Sequence, residues 1–178
     1  VHAIDPGRKG QMIEEPDSFD PALVVGCYAK TKAEATAHVL QTARQTGLDA
    51  SVVFPSGLCG PGDFAGGYVT RLFIDAAREK LPAGVKGGYD FADVRDVADG
   101  VIAAAERGGS GQGYILANRY VSVAEILHGV HELTGAKLVR HILPMTAAKA
   151  FTPLMYAYCM LTGQPALFTS YSLYTLQS

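Results

Sequence analysis

VVGCYAKTKAEATAHVLQTARQTGLDASVVFPSGLCGPGD, residues 24–63, sets a helix pattern directly ahead of a strand pattern. The run from Ala22 to Thr46 is rich in helix formers, and Gly47 follows it as glycine often does past a helix C-terminus, so a helix is predicted from near Val25. Ala50-Ser51-Val52-Val53-Phe54 is short, apolar and partly β-branched, and it runs into Pro55, Gly57, Gly60, Pro61 and Gly62. It reads as a buried strand entering a turn-rich loop. Upstream, residues 1–21 scatter Pro6, Gly7, Gly10, Pro16 and Pro21 among acidic and polar side chains, the pattern of an irregular surface loop.

Downstream, residues 67–80 and 96–107 read as helices on either side of a short strand within 84–94. Tyr114-Ile115-Leu116 suggests another strand. Ser122-Val123-Ala124-Glu125 has the spacing of a capping box that opens a helix. Val139 to Leu143 fits one more strand, and the tract from Thr146 to Leu161 a final helix. Such alternation predicts an α/β protein with helices covering a sheet.

Composition narrows the classes. Apolar residues make up 48% of the 178 positions and charged residues 18%, enough to build a core and unlike a disordered chain. A formal charge of −2 and no basic run leave nothing to attract nucleic acid. Cys27, Cys59 and Cys159 are odd in number and far apart, which gives neither a disulfide framework nor a zinc site and fits a reducing cytoplasm. The apolar stretch from Phe151 to Leu161 is broken by Pro153 and falls short of the roughly 20 residues a membrane span needs. It reads as a buried or partner-facing helix. His128 and His131 lie three apart without further ligands in register, so no metal is expected.

The residues that can do chemistry lie in the first helix. Tyr28 and Lys32 are four apart and share one helix face. A tyrosine hydroxyl titrates near 10 in water, and a neighbouring ammonium favours the phenolate; lowering that value by about 3 units takes about 4 kcal/mol of differential stabilisation. With that help a tyrosine serves as a general acid/base. The spacing alone is weak evidence, and its context carries the weight. Cys27 beside Tyr28 reads as a small packing residue.

Three blocks provide that context: YAKTKAEA at 28–35, VVFPSGLCGPGD at 52–63 and YDFADVRDVADGVIAAAERGGSGQGYILA at 89–117. Together they resemble the extended short-chain dehydrogenase/reductase family, which includes NAD-dependent epimerases and dehydratases and dihydroflavonol-reductase-like enzymes. The resemblance implies the C-terminal part of a Rossmann-type doubly wound parallel sheet with a small α+β substrate region. It assigns residues 1–62 to the dinucleotide-binding domain and residues 63–178 mainly to substrate binding, with returning sheet elements. It makes Tyr28 the proton donor and acceptor, and Lys32 the residue that binds the nicotinamide ribose and lowers the tyrosine pKa. The backbone at Pro55 and Ser56 approaches the nicotinamide of an NAD or NADP cofactor, and Tyr68 and Arg71 face the substrate. In the third block Asp96 reads as a helix N-cap and Val97, Val101 and Ile102 as core positions, while Asp93 and Arg95 receive no catalytic role.

The family's glycine-rich phosphate turn has no counterpart in these 178 residues, and neither has its catalytic serine or threonine, so an N-terminally truncated chain is expected. The expected activity is oxidoreduction of a carbonyl or secondary alcohol by a cytoplasmic homodimer acting on a small molecule, with no nucleic acid or membrane partner. The alternatives are a nucleotide-sugar epimerase or dehydratase, and a truncated, non-catalytic oligomerising homologue.

Overall fold

The computed structural model describes residues 2–5, 7, 11–150, 152, 160, 173 and 176. Its elements are α1 (Cys27–Thr46), β1 (Val52–Pro55), β2 (Gly57–Cys59), α2 (Tyr68–Ala77), β3 (Gly84–Val85), β4 (Gly88–Asp93), α3 (Val94–Arg107), β5 (Gly113–Leu116), β6 (Arg119–Ser122), α4 (Val123–Thr134) and β7 (Ile142–Leu143). The chain divides into two compact units: residues 1–60 with 91–119, and residues 61–90 with 120–178.

In the first unit β1 and β5 run parallel, with Val52 opposite Gly113 and Pro55 opposite Leu116. Parallel neighbours need a crossover, and the chain supplies a long one, returning through α3. α1 buries Ala29, Ala33, Thr36, Leu40 and Ala43, a stripe at alternating four- and three-residue steps whose small side chains let the helix lie close to β1. The helix begins after Gly26, whose φ of 96° lies where side-chain-bearing residues are strained, and ends on left-handed Gly47, whose N–H donates to the Ala43 carbonyl. Ala3, Ile4, Phe19, Val24 and Phe54 complete the core, with the Phe19 and Phe54 rings stacked at 5.2 Å. The irregular opening segment is therefore not purely a surface loop: its apolar residues fill the space between α1 and β1. β2 pairs in parallel with β4, Gly57 opposite Phe91 and Cys59 opposite Asp93.

In the second unit α2 packs on α4, and β3 pairs in parallel with β7, Gly84 opposite Ile142. α4 opens as its sequence requires, the Ser122 hydroxyl accepting from the Glu125 N–H at 3.1 Å, and it turns Val123, Ile126, Leu127 and Val130 inward. Gly84 has no room for a side chain, because a Cβ there would lie 2.8 Å from both Ile142 and Leu127.

Several expectations need correction. β2 arises where a turn-rich loop was read, and β6 where no element was assigned, in segments whose strand character comes from pairing within the three-stranded sheet β2-β4-β6. The N-cap of α3 is Asp93, extended at φ −66° and ψ 135°, and Asp96 sits in the first turn instead. Val97 is buried, but Val101 and Ile102 are exposed. The last predicted helix is present over residues 145–150; most of the remainder of that tract, including the apolar stretch from Phe151, lies outside the described residues. Among the described residues no helix is long and apolar enough to cross a membrane.

Candidate active site

In the first unit the buried faces of Ala29 and Ala33 fix how α1 rolls on the core, which leaves the preceding residues of each turn, Tyr28 and Lys32, on the exposed side. Tyr28 is 57% exposed, and the Lys32 ammonium lies over its ring, 5.7 Å from the centroid. At that distance a cation interacts favourably with the ring face. His2 approaches the same ring in a T-shaped contact, with centroids 6.1 Å apart and planes at 78°. Burial holds the His2 imidazole below its ordinary pKa. Nothing in the sequence pattern pointed to His2, since its contact with Tyr28 is tertiary. Cys27, read as a packing residue, is exposed because the core-facing stripe begins two residues later.

Pro55 and Ser56 lie at the carboxyl end of β1, where ligands gather in open parallel sheets. The Ser56 N–H donates to the Leu116 carbonyl at 2.9 Å, which extends the β1–β5 ladder by one residue. Its hydroxyl is buried without a hydrogen-bond partner among the described residues. A buried, unpaired hydroxyl is costly, so this oxygen is suited to a ligand group. The chain then bends through Gly60, at φ 143°, where an added Cβ would fall 2.7 Å from Val94.

Asp93 accepts from the Arg95 backbone N–H at 2.8 Å and takes two guanidinium bonds, at 2.9 and 2.6 Å. These bonds, chiefly the Arg95 side chain, hold its carboxyl at about 2. The pair fixes the start of α3 and is satisfied within itself. Burial pushes the neighbouring Cys59 thiol up, and the Asp93 charge adds to this, the reverse of what a nucleophile needs.

Tyr68 and Arg71 belong to the second unit. Tyr68, 69% exposed, is the first residue of α2, and Arg71 is exposed one turn later. The loop before them is tied by Asp63, whose Oδ2 accepts from the Gly67 N–H at 2.8 Å and from the Thr70 hydroxyl at 2.6 Å. Those bonds, the Thr70 hydroxyl first, hold the Asp63 carboxyl below its usual range. Phe64, 99% exposed, adds a second aromatic ring near this helix start, which sequence reading did not single out. The structure thus brings Tyr28 with Lys32, Pro55 with Ser56, and Tyr68 with Arg71. His131 bonds the Ala136 carbonyl at 2.6 Å and His128 pairs with Glu132 at 3.5 Å. No group of three metal-binding side chains occurs among the described residues.

The family model described as "NAD dependent epimerase/dehydratase family" matches residues 5–117. A sterol demethylase protein B of Methylococcus capsulatus is 33% identical over 117 residues, covering 66% of this chain and 35% of that protein. A Synechocystis protein bearing the name dihydroflavonol 4-reductase is 31% identical over 162 residues, covering 89% of this chain and 46% of its own length. The chain therefore spans less than half of either curated relative. The crystal structure of a nucleoside-diphosphate-sugar epimerase from Pseudomonas aeruginosa superposes with a TM-score of 0.69 at 20% identity, over 99% of this chain and 57% of that one. Other solved structures of this fold were obtained with NAD in one case and NADPH in another.

Proposed function

The chain belongs to the NAD dependent epimerase/dehydratase family, an α/β group of Rossmann type, and from that premise we propose that it carries the proton-handling side of an NAD(P)-dependent oxidoreductase acting on a carbonyl or secondary alcohol. The single observation that carries the reading is the Lys32 ammonium poised over the exposed Tyr28 ring. In this reading residues 1–62 serve the dinucleotide, and residues 63–178 mainly the substrate with returning sheet elements, a division by role that cuts across the two compact units.

The residues present fit a nicotinamide nucleotide. Ser56 offers a buried hydroxyl that lacks a partner among the described residues, at the carboxyl end of a parallel strand, and Lys32 offers an exposed ammonium for ribose hydroxyls. When bound, the nicotinamide supplies or accepts the hydride. In the reducing direction Tyr28 gives its hydroxyl proton to the substrate oxygen as that oxygen gains charge, and the Lys32 cation stabilises the phenolate left behind. In the oxidising direction the same phenolate takes the proton from the alcohol. The turn at Pro55 and Ser56, at the carboxyl end of β1, is the part of the chain that would meet the nicotinamide, with the Ser56 hydroxyl as its polar group. Tyr68 and Arg71 are the substrate-binding candidates, Tyr68 by stacking and Arg71 by charge.

Names of the two curated relatives, one for a sterol and one for a dihydroflavonol, support a flat polycyclic alcohol or ketone as substrate. Exposed Phe64 and Tyr68 suit such a ring system. The test is titration of the complete gene product with NADH and NADPH, followed by fluorescence, beside turnover on polycyclic ketones. Tyr28→Phe is expected to keep cofactor binding and lose about 10²- to 10⁴-fold in turnover, and Lys32→Ala to weaken cofactor binding as well. Normal turnover in Tyr28→Phe rejects the assignment. Activity confined to nucleotide sugars would favour an epimerase or dehydratase, and failure to bind either cofactor a non-catalytic homologue.

A further inference from the structure

We infer that His2 is a positioning residue for Tyr28, setting the orientation of the phenol ring from the side that α1 cannot supply. This rests on the acid/base reading of Tyr28 given above. An exposed tyrosine on a helix retains freedom about its side-chain torsions, and a general acid must hold its oxygen within hydrogen-bond reach of the reacting atom. Lys32 constrains the ring from one turn along the same helix, 5.7 Å from the centroid. His2 constrains it from a distant part of the chain, 6.1 Å away at 78°, in the edge-on arrangement aromatic pairs favour.

The placement of His2 is built into the core. Ala3 and Ile4 directly follow it and are buried at 6% and 4% exposure, in the same cluster as Ala29 and Ala33 of α1. Those two alanines alternate with the site residues along the helix, Ala29 after Tyr28 and Ala33 after Lys32. One packing contact therefore fixes both partners: the Ala3-Ile4 pair seats the segment on α1, and His2 emerges beside Tyr28. Burial disfavours the imidazolium of His2, and the cation over the phenol ring is Lys32.

The experiment uses the complete gene product, with His2→Ala, His2→Phe and Tyr28→Phe measured together. His2→Ala is expected to lower kcat about three- to tenfold with KM and cofactor Kd unchanged, and to move the Tyr28 ring proton resonances toward free-tyrosine positions. His2→Phe, which keeps an aromatic ring, is expected to restore both. Unchanged kcat and unchanged Tyr28 resonances in His2→Ala would overturn the inference. So would a His2→Phe variant as impaired as His2→Ala, because the imidazole rather than the ring contact would then be required. The resonance measurement needs no turnover, so a Tyr28→Phe enzyme of normal activity sinks the acid/base reading while the His2–Tyr28 contact is still read independently. Far-ultraviolet circular dichroism of each variant separates loss of fold from loss of position.

Discussion

Asp93 shows how one side chain links a helix start to a pH response. Its carboxyl is held at about 2, first by the Arg95 side chain and then by the Arg95 backbone N–H, both of which bond the charged form. An unfolded aspartate titrates near 3.9. Because the folded value is the lower one, the stabilisation is fully present above the unfolded value and is lost as the pH falls through the folded one. Asp93→Ala is expected to lower the melting temperature at neutral pH and to flatten its acid dependence between about pH 4 and pH 2, as read by thermal melts across that range. The sequence pointed to Asp96 as the cap, and the extended backbone and side-chain bond at Asp93 give that role to Asp93 instead. Tyr28 and Lys32 were legible as a pair because helix periodicity alone sets their shared face. His2 was not, since its approach to Tyr28 depends on how Ala3 and Ile4 pack.

At the scale of elements, α4 has the most direct route from sequence to structure. Ser122 accepts from the Glu125 N–H, and the apolar stripe behind it is continuous. Ser122→Ala is expected to cost about 1 kcal/mol, measurable as a lower urea midpoint with an unchanged slope. α1, α2, α3, β1 and β5 were legible for the same reason: each is long enough, or β-branched enough, for a local pattern to identify it. β2 lacks such a signal. Gly57-Leu58-Cys59 sits among glycines and prolines and becomes a strand only because β4 lies parallel to it. Val101 and Ile102 mark the opposite failure, a helical apolar spacing whose side chains remain exposed. Periodicity reports that a face is apolar and cannot tell what covers it.

For the molecule as a whole, the β1–β5 pair is the decisive contact, because Val52 lies opposite Gly113 with most of a second unit's opening segment threaded between. Closing so long a loop costs only about 0.6 kcal/mol more per doubling of its length, but β1 gains its ladder partner only when Gly113–Leu116 is present. Residues 1–60 expressed alone should therefore lack native helix content, and co-expression with residues 61–178 should restore it; circular dichroism and co-purification of the two pieces test this. A folded 1–60 piece would show that β1 does not need β5. The same threading bears on how variants of such a chain arise. The first unit is left at Gly60 and regained at Phe91, yet the second of these points falls inside β4. A crossover between homologous genes at the first junction exchanges material at a turn, whereas one at the second must keep the strand's two-residue alternation in phase or invert every side chain after it. Chimaeras of this family should accordingly tolerate inserted or deleted residues near Gly60 and reject single-residue length changes near Phe91.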